Sequence, residues 1–597
     1  MIGITQPSII HREDGALPPP ISYPVKEVNM LTIRYRYLLL LLLLLLPLCL
    51  HAQESVLRLA PYNGTPASFI NTQIGADTLA GGVIPANRVY VLQRGAPYLA
   101  NAVFNVSAGQ TLRLRANDSA GVRRPVIFLY PTGTGANPQR PPGNFAVLRG
   151  NLEMKSIVLS GYFEPIDTNL NNLQGALLNI PTAGAGASIT LDSCILTNSN
   201  GNHVRTDGAV NLLIVKNCIF ANMGYLGTSN LGAGKAFDLR DASADTVIVQ
   251  NNTFVNWQDR IIRHYNFSNP LAGTGAINYL KFDHNTLANG MSFHGLLSLG
   301  SMGPKAVITN NLMIDPYSLG NDTDATRQAE FVNNLEHDQY GGPRMAWIFT
   351  TPNDTTQWTI SNNYYVISDS GQAFYNSYGP AGVTGEGSPL TYHINSKLGG
   401  DSVNAFKKIS LALSNIPMLM TAENRWYRSP TGGNKTKNTP NAALWNRSFD
   451  YDRKGWAYYH DTLNCTYSTS STAYTGATGS YPAGDLNWFP SKKVQWLGDP
   501  AMSVTPAGEP LAFSLSQNYP NPFNPSTRIE FSLRKETKVK LEVFDLLGRN
   551  VATLVDGPQH AGQHFAEFNA SQLASGFYIY RLSSPELTVA KKMMLVK

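Results

Sequence analysis

The chain has 597 residues, with 46 basic against 40 acidic side chains and a formal net charge of +6. Only 14% of residues are charged, while glycine and proline number 51 and 37. This excludes a coiled coil or a disordered polyelectrolyte and points to a turn-rich β protein. No Lys/Arg block is dense enough to argue for nucleic acid as a partner.

Residues 1–29 look unlike any targeting segment, and the natural start is expected at Met30. Arg34-Tyr-Arg36 then precede a leucine-rich run, Leu38 to Leu50, which ends near the small residue Ala52. Basic, apolar and small in that order is the signature of a secretory signal peptide, here over residues 30–52. The apolar run is short for a bilayer span, so no stable transmembrane segment is expected after its removal. Cys49 follows Pro47-Leu48, a poor match to a lipidation site. Three cysteines then remain, Cys194, Cys218 and Cys465, with no Cys/His cluster at metal-ligand spacing.

Residues 53–400 carry an internal repeat. Val249-Gln-Asn-Asn-Thr-Phe-Val-Asn256 has relatives at 191–198, 215–222, 282–289, 308–315 and 360–367, with a possible further copy at 331–335. One column reads Cys194, Cys218, Asn252, Asn285, Asn311, Asn334 and Asn363. A second, two residues on, reads Leu196, Phe220, Phe254, Leu287, Met313 and Tyr365. The copies are 23 to 34 residues apart. A fixed core with variable spacing fits a solenoid whose insertions become loops. Alternation of period two in Val, Ile, Thr and Phe disfavours helical repeats. A β-propeller needs longer repeats of several strands each.

The expectation is therefore an all-β chain built on a right-handed parallel β-helix. Its first coils are expected at Gln110–Arg115 and Val126–Tyr130. Stacked Asn side chains would bond along the first column, and the second column would stack in the core. Cys194 and Cys218 are expected as stacked thiols, because side chains that run parallel fit disulfide geometry poorly.

Residues 401–508 have no repeat copy but are rich in aromatics, including Trp456 and Trp488. They are expected to cap the open end of the coil, whose core and strand edges need cover. Residues 509–597 alternate in short strands around turn signals at Leu547-Gly548 and Ser575-Gly576, as in a small Ig-like β-sandwich. The Pro520-Asn-Pro522 stretch is expected to be an extended linker.

The phrases Phe513 to Thr527, Val539 to Arg549, Gly576 to Leu582 and Lys591 to Lys597 closely resemble the type A C-terminal sorting domain of the type IX secretion system of Bacteroidota. The resemblance covers about the last 85 residues. It implies a secreted or cell-surface protein that meets the secretion machinery through residues 509–597. Gly484-Asp-Leu-Asn-Trp-Phe-Pro490 resembles the tail of secreted pectate-lyase-like proteins of the same bacteria, which join a β-helix to this domain.

By analogy with that fold, the ligand is expected to be a polysaccharide. A lyase needs a base and something to neutralise a uronate carboxylate, either Arg or Ca²⁺ on acidic groups. The richest cluster runs from Lys235 to Asp241 and from Asp259 to Tyr265. Lys235, Arg240, Arg260, Arg263 and His264 are its catalytic candidates, and Asp238 and Trp257 its substrate-binding ones. Strand alternation puts Phe237 and Leu239 inward and Asp238 and Arg240 toward solvent. Asp238 with Asp241 is the candidate pair for Ca²⁺, and no other cofactor is indicated.

Two classes stay open: a lyase on acidic glycans, and a non-catalytic glycan-binding or adhesive surface protein. Phe293-His-Gly-Leu-Leu-Ser-Leu-Gly-Ser301 resembles the histidine motif of polygalacturonases. The aspartates which that chemistry needs one coil earlier are missing from 271–278, so His294 is expected to be a solvated or ladder histidine.

Overall fold

A computed structural model describes residues 54–119, 121–131, 143–161, 163, 174–184, 186–224, 234–240, 242–264, 275–290, 292, 295–316, 345–348, 353–377, 389–417, 460–499, 514–515, 517–533, 537–559, 562–585 and 588–597. The segments read as an upstream extension and signal peptide lie outside the described residues, as do Asn334, Asp241, His294 and Trp456.

Three long parallel sheets form the body. The first has ten strands, from Ser55–Arg58 and Arg88–Leu92 through Ala244–Gln250 and Ile277–Asp283 to Gln357–Ser361. The second runs from Pro97–Ala100 through Ile219–Met223, Thr253–Trp257 and Thr286–Gly290 to Phe406–Lys408. The third runs from Phe104–Val106 through Lys235–Asp238 and Arg260–Arg263 to Ala346–Ile348. The long strand Ile195–Thr206 belongs to the second sheet in its first half and to the third in its second. Each coil visits the three sheets in turn, which makes a parallel β-helix. It begins at Ser55–Arg58, within the expected span of 53–400, and strands at 88–106 precede the two segments expected as its first coils.

Register confirms the apolar column. Leu196 pairs with Phe220, then Phe254, Leu287, Met313 and Tyr365. The rings of Phe220 and Phe254 stack at 5.1 Å. This column and its counterparts on the other two sheets fill one continuous core, at spacings set by the strand repeat.

The tandem asparagines divide the work of the bend between the first and second sheets. The first of each pair, as at Asn251, Asn310 and Asn362, is left-handed, with φ of 54 to 60°. Asn tolerates that conformation because its short polar side chain bonds locally. The second is a rung. Asn252 Nδ2 donates to Asn285 Oδ1 at 3.0 Å and to Val215 O at 3.0 Å. Asn285 does the same with Asn311 and Val249. Asn311 reaches Asn363 directly at 2.7 Å, across 52 residues of sequence.

At the lower end the cysteines substitute for asparagine. Cys218 Sγ accepts from Cys194 N at 3.3 Å and donates to Lys216 O at 3.1 Å. All three described cysteines are free and buried.

Two short helices close the core at its ends. Ile70 and Ile74 of the helix Ile70–Asp77 pack with Tyr90 and Leu92, and Ile394 of Tyr392–Leu398 packs with Leu390 and Ala405. The described part of the aromatic segment, 409–417 and 460–489, is therefore not the end cap expected of it. It lies lengthwise along the outer face of the second sheet. Leu463 and Cys465 cover Val126, Val158, Ile195, Ala221 and Val255, and Tyr467, Ala473, Tyr481 and Ala483 cover Leu312, Ile314, Tyr364 and Val366. Those outward positions are apolar side chains, Tyr364 among them, so this face needs cover as much as the ends do.

Polar contacts fix the strap. Thr253 Oγ1 donates to Asp485 Oδ2, Trp488 Nε1 donates to Thr253 Oγ1 and Asp485 N donates to Thr286 Oγ1, each at 2.8 Å.

The C-terminal domain has a three-stranded and a four-stranded antiparallel sheet. They enclose a separate core that includes Ile529, Phe531, Leu541, Val543, Tyr580, Leu582 and Leu595. The proline stretch is not a linker. Phe523 is buried in that core, Tyr519 bridges to Arg528 and Asn521 Oδ1 accepts from Met594 N, so the stretch is held as part of the domain.

Candidate functional site

The candidate residues come together on the third sheet. Register sets Asn202, Lys235 and Arg260 in one row and Arg205, Asp238 and Arg263 in the next. Phe237 and Leu239 face the core as expected. Asp238 does not face solvent: it is 1% exposed, as are Lys235 and Arg260.

Ion pairing from the following coil accounts for this burial. Arg263 holds Asp238 as a fork, with Nε to Oδ1 at 2.6 Å and a second guanidinium nitrogen to Oδ2 at 2.8 Å. Asn202 donates to the same Oδ2 at 3.0 Å. Lys235 Nζ lies 2.8 Å from Asp259 Oδ2, and Arg260 Nε lies 3.1 Å from the same oxygen. Buried charges persist when paired and hydrogen-bonded in this way.

The electrostatics follow. Burial lowers Lys235 to about 8, against the attraction of Asp259. Burial alone would raise Asp238, but Arg263 and Lys235 bring it below the usual carboxylate value. Burial lowers His264 to about 4, so it is neutral at pH 7, and its Nε2–H donates to Ala242 O at 2.9 Å.

Trp257 is not a surface platform. It is fully buried in the core, donates from Nε1 to Ser292 Oγ at 2.8 Å and lies against Gly290, where a Cβ would clash with the indole. Its alternation was readable, but a core tryptophan and a sugar-stacking one look alike in sequence. The Ca²⁺ candidate fares no better. Both oxygens of Asp238 are engaged by Arg263 and Asn202, and Asp241 lies outside the described residues.

Arg240 is the accessible member, with its side chain 30% exposed. It has a left-handed φ of 37°, unusual for a long side chain. Its guanidinium lies 3.6 Å from Asp207 Oδ1. Arg205 makes a fork to Asp207 at 3.1 and 3.2 Å. Sequence reasoning passed over Arg205 and Asp207. The signal was the place of Arg205 one coil before Asp238, in the row that Arg263 continues, with Asp207 two residues on.

Among the described residues, no helix is long and apolar enough to cross a membrane, and no group of three or more His, Cys, Asp or Glu side chains is arranged to hold a metal ion. No curated protein and no solved structure matches the chain. Residues 517–597 match the family of the secretion system C-terminal sorting domain. That domain marks proteins carried by the type IX secretion system, and the chain is exported by that route to the cell surface or the extracellular space.

Proposed function

We propose that this is an exported β-helix protein that binds acidic polysaccharide on the outer face of its third sheet, through Arg205 and Arg240. One observation carries the reading: Arg205 and Arg240, on neighbouring coils, converge on Asp207 with side chains 36% and 30% exposed, while the buried Arg263–Asp238 fork continues the row of Arg205. Arginine forks suit carboxylates in both geometry and charge. A coil repeat of ~4.8 Å gives an extended glycan a series of contacts instead of one pocket. The favoured form is non-catalytic, because Lys235 and His264 are enclosed and each already has a partner.

A second reading rests on Lys235, whose lowering to about 8 suits a general base. As a lyase, Lys235 would take the proton next to the uronate carboxylate. The electron pair would then form a C=C bond and expel the glycosidic oxygen.

The test uses the mature protein and a panel of uronic-acid and neutral glycans, with binding and unsaturated product measured separately. Arg240→Gly relieves the left-handed backbone while removing the guanidinium. Weaker uronate binding in a protein at least as stable as wild type is the expected result. Unsaturated product from the wild type that disappears in Lys235→Met would establish the lyase reading. No binding and no product on any acidic glycan would defeat both.

A further inference from the structure

Two arginine–carboxylate forks sit side by side on the third sheet, and they differ in one respect. Arg263 and Asp238 are enclosed, with side chains 11% and 2% exposed. Arg205 and Asp207 are open, at 36% and 31%. Asp207 immediately follows the strand Ile195–Thr206, and its backbone N donates to Ile180 O at 2.7 Å, which fixes where its carboxylate stands. There it takes both ends of the Arg205 fork and faces Arg240 as well.

We infer that Asp207 is a built-in competitor: its carboxylate occupies the place of the ligand's carboxylate, and binding proceeds by exchange of one for the other. This rests on the acidic-glycan reading and adds a regulatory part to the same site. An exposed ion pair contributes little net stability in water, so an incoming carboxylate can displace it. The enclosed Arg263–Asp238 fork cannot exchange in this way, because separating it would strand a buried charge. It acts as a positioning pair that holds the row.

The arrangement also sets selectivity. A ligand must supply a planar two-oxygen group matching the one it replaces, so a single isolated carboxylate gains little over Asp207. A chain of uronates, held on neighbouring coils at once, outcompetes it through effective concentration.

The experiment is calorimetry of the mature chain with oligogalacturonate, with free glucuronate and with a neutral oligosaccharide of matched length. Asp207→Asn keeps the shape and removes the charge. It should tighten oligogalacturonate binding up to about fivefold, the range of an exposed pair. It should also narrow the gap between oligomer and free glucuronate. Asp207→Glu should stay close to wild type, and Arg205→Ala should weaken binding whatever stands at 207. Wild-type binding that is unchanged or weakened by Asp207→Asn overturns the competitor role and leaves the binding reading standing. No binding by either protein overturns the binding reading itself.

Discussion

A rung of a coil needs one donor and one acceptor in the same plane, and the Asn amide supplies both. Asn252 takes the Cys218 N–H on its oxygen at 2.9 Å, and its nitrogen serves Val215 O and Asn285 Oδ1. Asn252→Leu fits the volume but strands two or three buried polar groups. It should cost roughly 3 kcal/mol in chemical unfolding, whereas Cys218→Asn should be neutral or stabilising, because it extends the amide ladder by one rung. The first column was legible because its residues recur at a fixed offset from a Phe or Leu. A second ladder was on the same lines of sequence and went unread. Asn198, Asn222, Asn256 and Asn289 are left-handed at the next bend, and Asn256 donates to Asn222, which donates to Asn198. An asparagine at a strand end passes equally for a turn former, so only stacking in space distinguishes it.

Strand alternation told which way a side chain turns but not how deep it lies. In a strand flanked on both edges, an outward side chain held by ion pairs from the neighbouring coils can be as buried as an inward one. Asp238 and Lys235 are examples. Depth sets the energetics of the two ion-pair groups. Asp259→Ala leaves Lys235 and Arg260 without their shared carboxylate and should cost roughly 3–5 kcal/mol, while Asp207→Ala should cost under about 1 kcal/mol. Comparing the two by thermal melts at pH 7 checks the assignment of depth.

The strap carries its own titration. Burial raises Asp485 to about 6, above the unfolded value near 4. The folded state therefore takes up this proton first. Asp485 costs most stability above pH 6, and that cost fades as pH falls toward 4. His264 and His203 act in the opposite sense. Burial lowers them to about 4 and about 3, so their contribution is full above pH 6.5 and is lost as pH falls through that window. Asp485→Asn should raise the melting point at pH 8, have little effect at pH 4 and leave the histidine-driven acid loss more visible. A mutant–wild-type difference that does not change with pH would show that Asp485 is not the titrating group.

At the scale of the molecule, the variable repeat and the separate tail core make different parts responsible for folding and for delivery. The β-helix core runs from Leu59 to Ala405 and closes at both ends without the strap. Its second face, from Val126 to Val366, is covered only once residues 409–417 and 460–489 are laid along it. The strap is therefore part of the folding unit, although in sequence it lies beyond the last coil. The tail, by contrast, shares no core residue with the coil among the described residues. A chain ended at residue 499 should melt cooperatively, with the midpoint of the full β-helix. A chain ended at 408 should expose this apolar face, bind a hydrophobic dye and aggregate. In the native host the first should accumulate folded in the periplasm, because it has lost the sorting domain at 517–597. If it still reaches the surface, export is directed by another part of the chain. If the chain ended at 408 stays monomeric and cooperative, the strap is an ornament on a self-sufficient coil and not one of its walls.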